Sequence, residues 1–299
     1  MRLKRATIIY NPTSGRSWGR LKKISAMTRL LRERGVAADV GTTHRPNDGA
    51  ELARRAIAAG AEIIIAFGGD GTLNEVLQGM VGTDASLVVW AGGTENVAAR
   101  DLGMPFSARP LADVIAAGHT RRISLGLVKT SCNTSPGRYF FMFAGIGLDA
   151  SICRGVNPEL KKRTGQFAFV VSGIKELIDW RPEPFTVEVE GKTYESGFSL
   201  VGNGKGYGGG ILMTPSARLE DPWFEVFILP AKKGRLGVLL DMVKCRMGKP
   251  WSTDAKIIKT EQISANSNPD SWVEVDGEVL GPLPAIFRIV PQALSVIVP

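Results

Sequence analysis

The stretch FGGDGTLNEV, Phe67 to Val76, decides how the chain is read. Before it stands AEIIIAF, Ala61 to Phe67, a short isoleucine-rich run that predicts a buried parallel strand. After it, Leu73, Val76, Leu77 and Met80 recur at helical spacing. GGDGT is therefore a strand-to-helix turn. Gly68, Gly69 and Gly71 let the backbone pass close to a ligand, and the helix start beyond them points unpaired N–H groups at it. Phosphate oxygens suit that geometry. Asp70 does not, because a carboxylate repels phosphate unless it holds a metal, a water or a ribose hydroxyl. Its presence points to chemistry with Mg²⁺. The bland alternative is a Gly-rich turn whose Asp caps a helix, since one such turn is weak evidence.

The flanks extend the pattern. Upstream, Ala6–Tyr10 (ATIIY) predicts a strand that runs into Asn11-Pro-Thr-Ser-Gly15, a loop of hydroxyls and N–H groups. Leu21, Ile24, Leu30 and Leu31 mark a helix stopped by Gly35, and Val36–Val40 predicts a strand. Leu52, Ala53, Ala56 and Ile57 mark the next helix. Downstream, Leu87–Trp90 is a further strand, delivering Gly92-Gly-Thr-Glu-Asn96 and another helix. Alternating strands and helices predict a doubly wound α/β domain over 1–122. Ligands bind at the carboxyl edge of such sheets, and three polar or Gly-rich loops converging there say more than any one alone.

From Ile123 the texture changes. SLGLVK, RYFFMFA, FTVEVE, SGFSLVG, WFEVFILP, AKIIK and SWVEVDGEVL are strand-like, several alternating with period two. Turn-like Thr134-Ser-Pro-Gly and Glu190-Gly separate them, and two helices are expected, Gly165–Trp180 and Arg235–Met247. Residues 123–284 read as a mostly antiparallel β-sandwich domain, with two more strands in AIFRIVPQALSVIVP.

The net charge of +8 favours an anionic partner: a nucleotide, a nucleic acid or an acidic membrane surface. The basic residues form short clusters, such as Arg16/Arg20/Lys22/Lys23, that read as solvated surface; aromatics are not interleaved with them, which disfavours nucleic acid. Cys132, Cys153 and Cys245 have no metal-ligand spacing and fit a reducing cytosol. No apolar run approaches the ~18 residues that span a bilayer. On the helix Arg235–Met247, Leu236, Leu239, Leu240 and Val243 share one side, expected to pack on the second domain, with membrane contact the sharper alternative.

Taken together, NPTSG at 11–15, GGDGTLNEV at 68–76 and GGTENVAAR at 92–100 resemble the diacylglycerol kinase catalytic-domain family, and in particular its soluble bacterial lipid kinases. GIGLDA at 145–150, NGKGYGGG at 203–210, Pro215-Ser-Ala and Val275-Asp-Gly-Glu278 continue the resemblance to full length. It implies an α/β nucleotide domain to which the segment 285–299 returns, a β-sandwich domain, and an active site in the cleft between them. It further implies that Asn11, Pro12, Thr13, Ser14, Gly15, Thr43, Gly68, Gly69, Asp70, Gly71, Thr72, Leu73, Asn74, Glu75 and Thr94 hold ATP. Glu278 matches the general base for a lipid hydroxyl, with Asp276 orienting it or the metal. Asp221 matches an Mg²⁺ ligand, completed by the backbone carbonyls of Arg218 and Trp223.

Phosphoryl transfer needs positioning and charge neutralisation, so glycine turns with Mg²⁺ are suitable parts. By itself Asp276-Gly277 also spells a hairpin turn. Two positions depart from the family pattern. Val97 stands where many members carry an Asp, removing an acid from the cleft, and Pro222 replaces the Gly that usually follows Asp221. The expected activity is an ATP- and Mg²⁺-dependent lipid kinase acting at an anionic membrane surface. Diacylglycerol is the first acceptor and a sphingoid base, ceramide or other lipid alcohol the alternative. An NAD kinase and a nucleotide-dependent lipid sensor are the rival functions, and a homodimer stays open.

Overall fold

Ile8, Ile9, Ile64, Ile65, Val88 and Trp90 bury their side chains along parallel strands, and these strands carry the first part of the chain. The computed structural model describes residues 4–12, 19–155, 183–207, 211–247, 249, 251, 254–267 and 271–299. Two units separate: Met1–Ile123 with Gln292–Pro299, and Ser124–Pro291.

In the first unit, β1 (Lys4–Tyr10), β2 (Val36–Thr42), β3 (Ile63–Gly68) and β4 (Ser86–Ala91) pair in the order β2-β1-β3-β4, all parallel. Every residue of β3 is buried, as a strand covered on both faces requires. The connecting helices are α1 (Arg20–Glu33), α2 (Asp48–Ala58) and α3 (Asp70–Leu77), and α4 (Val97–Asp101) and α5 (Ala108–Ala117) follow β4. The chain leaves β1 towards β2 on one side and β3 towards β4 on the other. This reversal makes the carboxyl ends of β1 and β3 a switch point, where open α/β sheets bind ligands.

Two details of this unit differ from expectation. Helix α3 starts at Asp70, so most of GGDGT is the helix's own first turn and Gly69 is its N-cap. On α1 the buried stripe is Arg20, Ile24, Met27 and Leu31, while Leu21 is exposed; helical spacing from Ile24 selects Arg20 as its inward neighbour.

The second unit is built from antiparallel pairs. In chain order its strands are β5 (Thr120–Thr130), β6 (Asn133–Phe140), β7 (Phe143–Gly147), β8 (Phe185–Val189), β9 (Lys192–Ser196) and β10 (Phe198–Gly202). There follow the short pair β11 (Gly206–Tyr207) and β12 (Ile211–Leu212), then β13 (Phe224–Leu229), β14 (Lys256–Thr260), β15 (Gln262–Ser267), β16 (Trp272–Val275), β17 (Glu278–Pro282) and β18 (Ala285–Ile297). One sheet runs β14-β13-β10-β7-β16-β17; the other joins β9, β8, β15 and the first residues of β18. Phe140, Phe185, Val201, Phe224, Val275 and Phe287 fill the space between the two sheets. Strands β10 and β13 are buried throughout, because Phe198, Leu200, Phe227 and Leu229 on their other face sit in a second apolar cluster. The expected pairing of a doubly wound domain with a β-sandwich is what the chain forms.

Several expectations are corrected here. Thr134–Gly137 lies inside β6, and the turn falls at Ser131–Cys132, next to a register shift between Val128 and Thr130. RYFFMFA breaks into β6 and β7. GIGLDA leads into an additional helix, α6 (Leu148–Gly155). The last apolar segment is one strand, β18, of 13 residues; Gln292 takes a left-handed φ of 50° after Pro291 without ending it. The expected helix Gly165–Trp180 lies outside the described residues. The other is present as α7 (Gly234–Arg246), but Val238, Asp241 and Cys245 are its buried residues, and Leu236, Leu239, Leu240 and Val243 are exposed.

Candidate active site

Parallel register brings three loops of the first unit to one level. Tyr10 pairs with Phe67, Phe67 with Trp90 and Gly68 with Ala91, so the residues after β1, β3 and β4 emerge side by side. Thr43 joins them, its N–H bonded to the Tyr10 carbonyl at 3.0 Å. The glycines set how close these loops come. A Cβ on Gly93 would lie 2.4 Å from the Cα of Gly69, a backbone atom that cannot swing aside. The Gly69 and Gly93 turns are therefore in direct backbone contact, and only glycine permits it. Asn96 closes the second turn in a left-handed conformation, accepting the Gly93 N–H at 2.8 Å and donating to the Gly93 carbonyl at 3.0 Å.

Arg20, read from the sequence as part of a solvated basic cluster, is buried here. Its guanidinium donates to the carbonyl of Asn11 at 2.6 Å and to that of Gly92 at 3.1 Å, and lies over the Phe67 ring. Burial lowers its pKa from the ordinary arginine value. One fixed cation thus ties the loops after β1 and β4 and leaves positive charge beside them. Its place on the Ile24/Met27/Leu31 stripe was the signal available in the sequence.

Asp70 is held by backbone rather than by solvent. Its carboxylate accepts the Ala98 N–H at 3.3 Å and faces the amides of Asn96 and Val97, at the start of α4. Burial raises its pKa, and those amides oppose the shift. Its carboxylate thus caps a helix, α4 rather than its own. Leu73 packs in the core, and Glu75 accepts the Gly49 N–H at the start of α2 at 3.3 Å. Thr72 and Asn74 are buried, Thr94 is exposed, and Thr13, Ser14 and Gly15 lie outside the described residues. Asn11, Pro12, Thr43, Gly68–Thr72 and Thr94 thus share one sheet edge, whereas the side chains of Leu73 and Glu75 have other partners. A glycine-lined turn with the first-turn amides of α3 behind it fits the phosphates of a nucleotide.

In the second unit, Asp276 and Gly277 take φ of 48° and 84° and turn β16 into β17. Each residue of the turn has its own restraint. The Asp276 carboxylate accepts three amides, from Phe141 at 2.7 Å, Met142 at 2.9 Å and Phe143 at 3.2 Å. The Gly277 N–H donates to Glu274 Oε2 at 2.7 Å. Glu278, half-exposed, meets Arg138 Nη2 at 3.3 Å. Asp276 therefore shapes the turn, and Glu278 is the acid that it presents to solvent.

Below the turn lies a group absent from the sequence reading. Glu274 and Asp149 are buried facing each other, and the Tyr207 hydroxyl donates to Asp149. Among the described residues Asp149 Oδ2 and Glu274 Oε1 have no other donor, and a proton shared between them satisfies both. Burial, then the charge of Asp149, pushes Glu274 well above the ordinary carboxylate range. GIGLDA, NGKGYGGG and SWVEVDGEVL were visible in the sequence, but nothing in their spacing announced that Asp149, Tyr207 and Glu274 meet.

The third expected feature is a loop closed on itself. Arg218 N–H donates to Asp221 Oδ2 at 3.1 Å, and Asp221 N–H donates to the Arg218 carbonyl at 2.9 Å. One carboxylate and two carbonyls are hard oxygen donors of the kind Mg²⁺ takes together with water. The donor set fits in chemistry. Pro222 follows it exposed, outside these bonds.

A glycine-lined switch-point turn that fits phosphates and a sandwich turn that presents Glu278 to solvent are the parts that a nucleotide-using phosphotransferase, a kinase, needs. The profile described as "Diacylglycerol kinase catalytic domain" matches residues 5–128, and that described as "YegS C-terminal NAD kinase beta sandwich-like domain" matches 143–298. A diacylglycerol kinase of Bacillus subtilis is 31% identical over 99% of this chain and 97% of its own length. One from Staphylococcus epidermidis is 30% identical over 99% of this chain and 92% of its own. The crystal structure of a diacylglycerol kinase from Bacillus anthracis superposes with a TM-score of 0.79 at 22% identity, covering 100% of this chain and 98% of that one. The chain belongs to the diacylglycerol kinase catalytic-domain family.

Proposed function

We propose that the protein transfers the γ-phosphate of ATP to the hydroxyl of diacylglycerol in a membrane, giving phosphatidic acid. Glu278 carries the reading: it is an exposed carboxylate on a turn restrained at Asp276 and Gly277. The names of the full-length relatives supply the acceptor.

In this reading the glycine turns at Gly68–Gly69 and Gly92–Gly93 and the amides that open α3 hold the nucleotide phosphates, with Arg20 setting the loop spacing. The lipid hydroxyl gives its proton to Glu278 as its oxygen bonds to the γ-phosphorus, and the bond from that phosphorus to the ADP oxygen breaks. Arg138 Nη2, 3.3 Å from Glu278, holds the carboxylate in position. Asp221 and the carbonyls of Arg218 and Trp223 would hold Mg²⁺, which would supply charge neutralisation to phosphoryl transfer. The acceptor resides in a bilayer, so the enzyme works in peripheral contact with an anionic membrane surface, towards which its net charge of +8 draws it.

The test is transfer of labelled γ-phosphate from ATP to diacylglycerol, ceramide, a sphingoid base and NAD in parallel mixed-micelle assays. Labelled phosphatidic acid that vanishes in Glu278→Ala is the expected result. Label on NAD or on another lipid alone overturns the acceptor.

A further inference from the structure

Helix α7 has two apolar faces and covers only one of them. Val238, Met242 and Cys245 pack inward on the sheet, where Val238 joins Phe198, Leu200, Phe227 and Leu229. The side expected to be buried points out instead: Leu236 is 72% exposed, Leu240 59%, Val243 52% and Met247 69%, with Leu239 between them. These positions fall at the helical intervals that make one continuous stripe. A contiguous apolar strip of this kind marks an interaction site on a folded protein.

The charges around the stripe say what it meets. Lys232, Lys244 and Lys249 are exposed at its two ends. The one acid on the helix, Asp241, is turned inward and held by Lys233 at 2.6 Å. Leucines outward, lysines at the rim and no acid on the outer face are the composition of a helix lying in a lipid interface.

We infer that the outer face of α7 is a membrane-docking surface that inserts Leu236, Leu240, Val243 and Met247 among the acyl chains of an anionic bilayer, with its lysines on the headgroups. This rests on the lipid-kinase reading for its purpose but not for its physics. It gives an enzyme with a bilayer-resident acceptor a defined face on which to land.

The test is co-sedimentation of the full chain with vesicles of phosphatidylcholine alone and with phosphatidylglycerol added. Wild type is expected to bind the anionic vesicles. Leu236→Ser/Leu240→Ser/Val243→Ser is expected to bind about tenfold or more weakly, as loss of inserted apolar area requires. Lys232→Glu/Lys244→Glu/Lys249→Glu should lose the preference for anionic vesicles, each lysine near the surface being worth roughly a fivefold change. These side chains are outside the core, and thermal melts check that the variants fold. A single variant, Leu240→Trp, adds a local readout: its extra fluorescence should be quenched by brominated acyl chains.

Vesicle binding unchanged by the serine variant, or absent from wild type, overturns the inference. So does a wild-type dimer that the serine variant converts to monomer, since the face would then join two copies. Phosphate transfer to diacylglycerol in mixed micelles, run on the same samples, separates the two readings. If transfer is absent while α7-dependent vesicle binding stands, only the proposed reaction fails.

Discussion

The Arg20 guanidinium donates to the Asn11 carbonyl at 2.6 Å, and its other amino group reaches Gly92 in the loop after β4. A buried cation with two such bonds is worth about 1.5–3 kcal/mol per charged bond. Arg20→Ala is therefore expected to weaken ATP binding by about ten- to a hundredfold, because the loop after β1 loses its tether to the loop after β4. Arg20→Lys, with one ammonium in place of a planar fork, cannot serve both carbonyls and should fall between. Calorimetric titration with an ATP analogue measures this, and an unchanged Kd in a folded variant would remove Arg20 from the site.

Asp276 and Glu278 stand two residues apart and should fail in different ways. Asp276→Asn replaces a carboxylate serving three amides by a group with one acceptor oxygen and a donor that would face an N–H. A loss of about 2–3 kcal/mol of stability is expected, seen as a lower Tm, with activity falling because the turn moves. Glu278→Gln removes only the proposed proton acceptor, at an exposed position. Its Tm should stay near wild type while kcat drops about 10²- to 10⁴-fold. Similar Tm losses in the two variants would contradict this division of labour.

The Gly69–Gly93 contact makes a third prediction. Gly93→Ala places a methyl 2.4 Å from backbone, so the two turns must separate. The expected outcome is loss of nucleotide binding with the sheet intact, followed by titration and by far-ultraviolet circular dichroism. Normal ATP affinity would mean that the close approach is incidental to binding.

The fold was legible where burial is periodic. Ile63–Phe67 and the Gly-rich loops after the parallel strands follow from patterning alone, and alternation in FTVEV and WVEV marked the sandwich. What patterning cannot see is which neighbour across the fold a polar side chain finds. Arg20 looked like surface because its partners, the Asn11 and Gly92 carbonyls, are brought to it only by strand order. Asp70 looked like a ligand-facing acid, but its nearest partners are amides of α4. Asp149 and Glu274 are distant in sequence and meet only through the sheet. Helix α7 was legible as a helix and misread in its facing, because both of its sides are apolar and only contact with Phe227 and Leu229 distinguishes them.

The buried acid pair makes the last prediction, one of sign. Facing Glu274 are Asp149, Asp276 and the Gly277 amide; Asp149 also faces Tyr207, which lies near Cys153. Burial raises the carboxyl pKa of both Asp149 and Glu274, so the folded state binds more protons than the unfolded chain. Stability contributed by the pair is full below the unfolded carboxyl pKa of about 4 and falls as pH rises towards the raised folded values. Glu274→Gln keeps an acceptor for the Gly277 N–H and gives Asp149 a permanent donor, so the ionised Asp149 is no longer opposed by a second acid. The variant's Tm is therefore expected to fall less than wild type's as pH rises from weakly acid towards alkaline. Thermal melts across that range, compared as slopes, read this directly. Parallel slopes would show that the pair is already ionised or already relaxed, and that the shared proton is not what holds the turn above it.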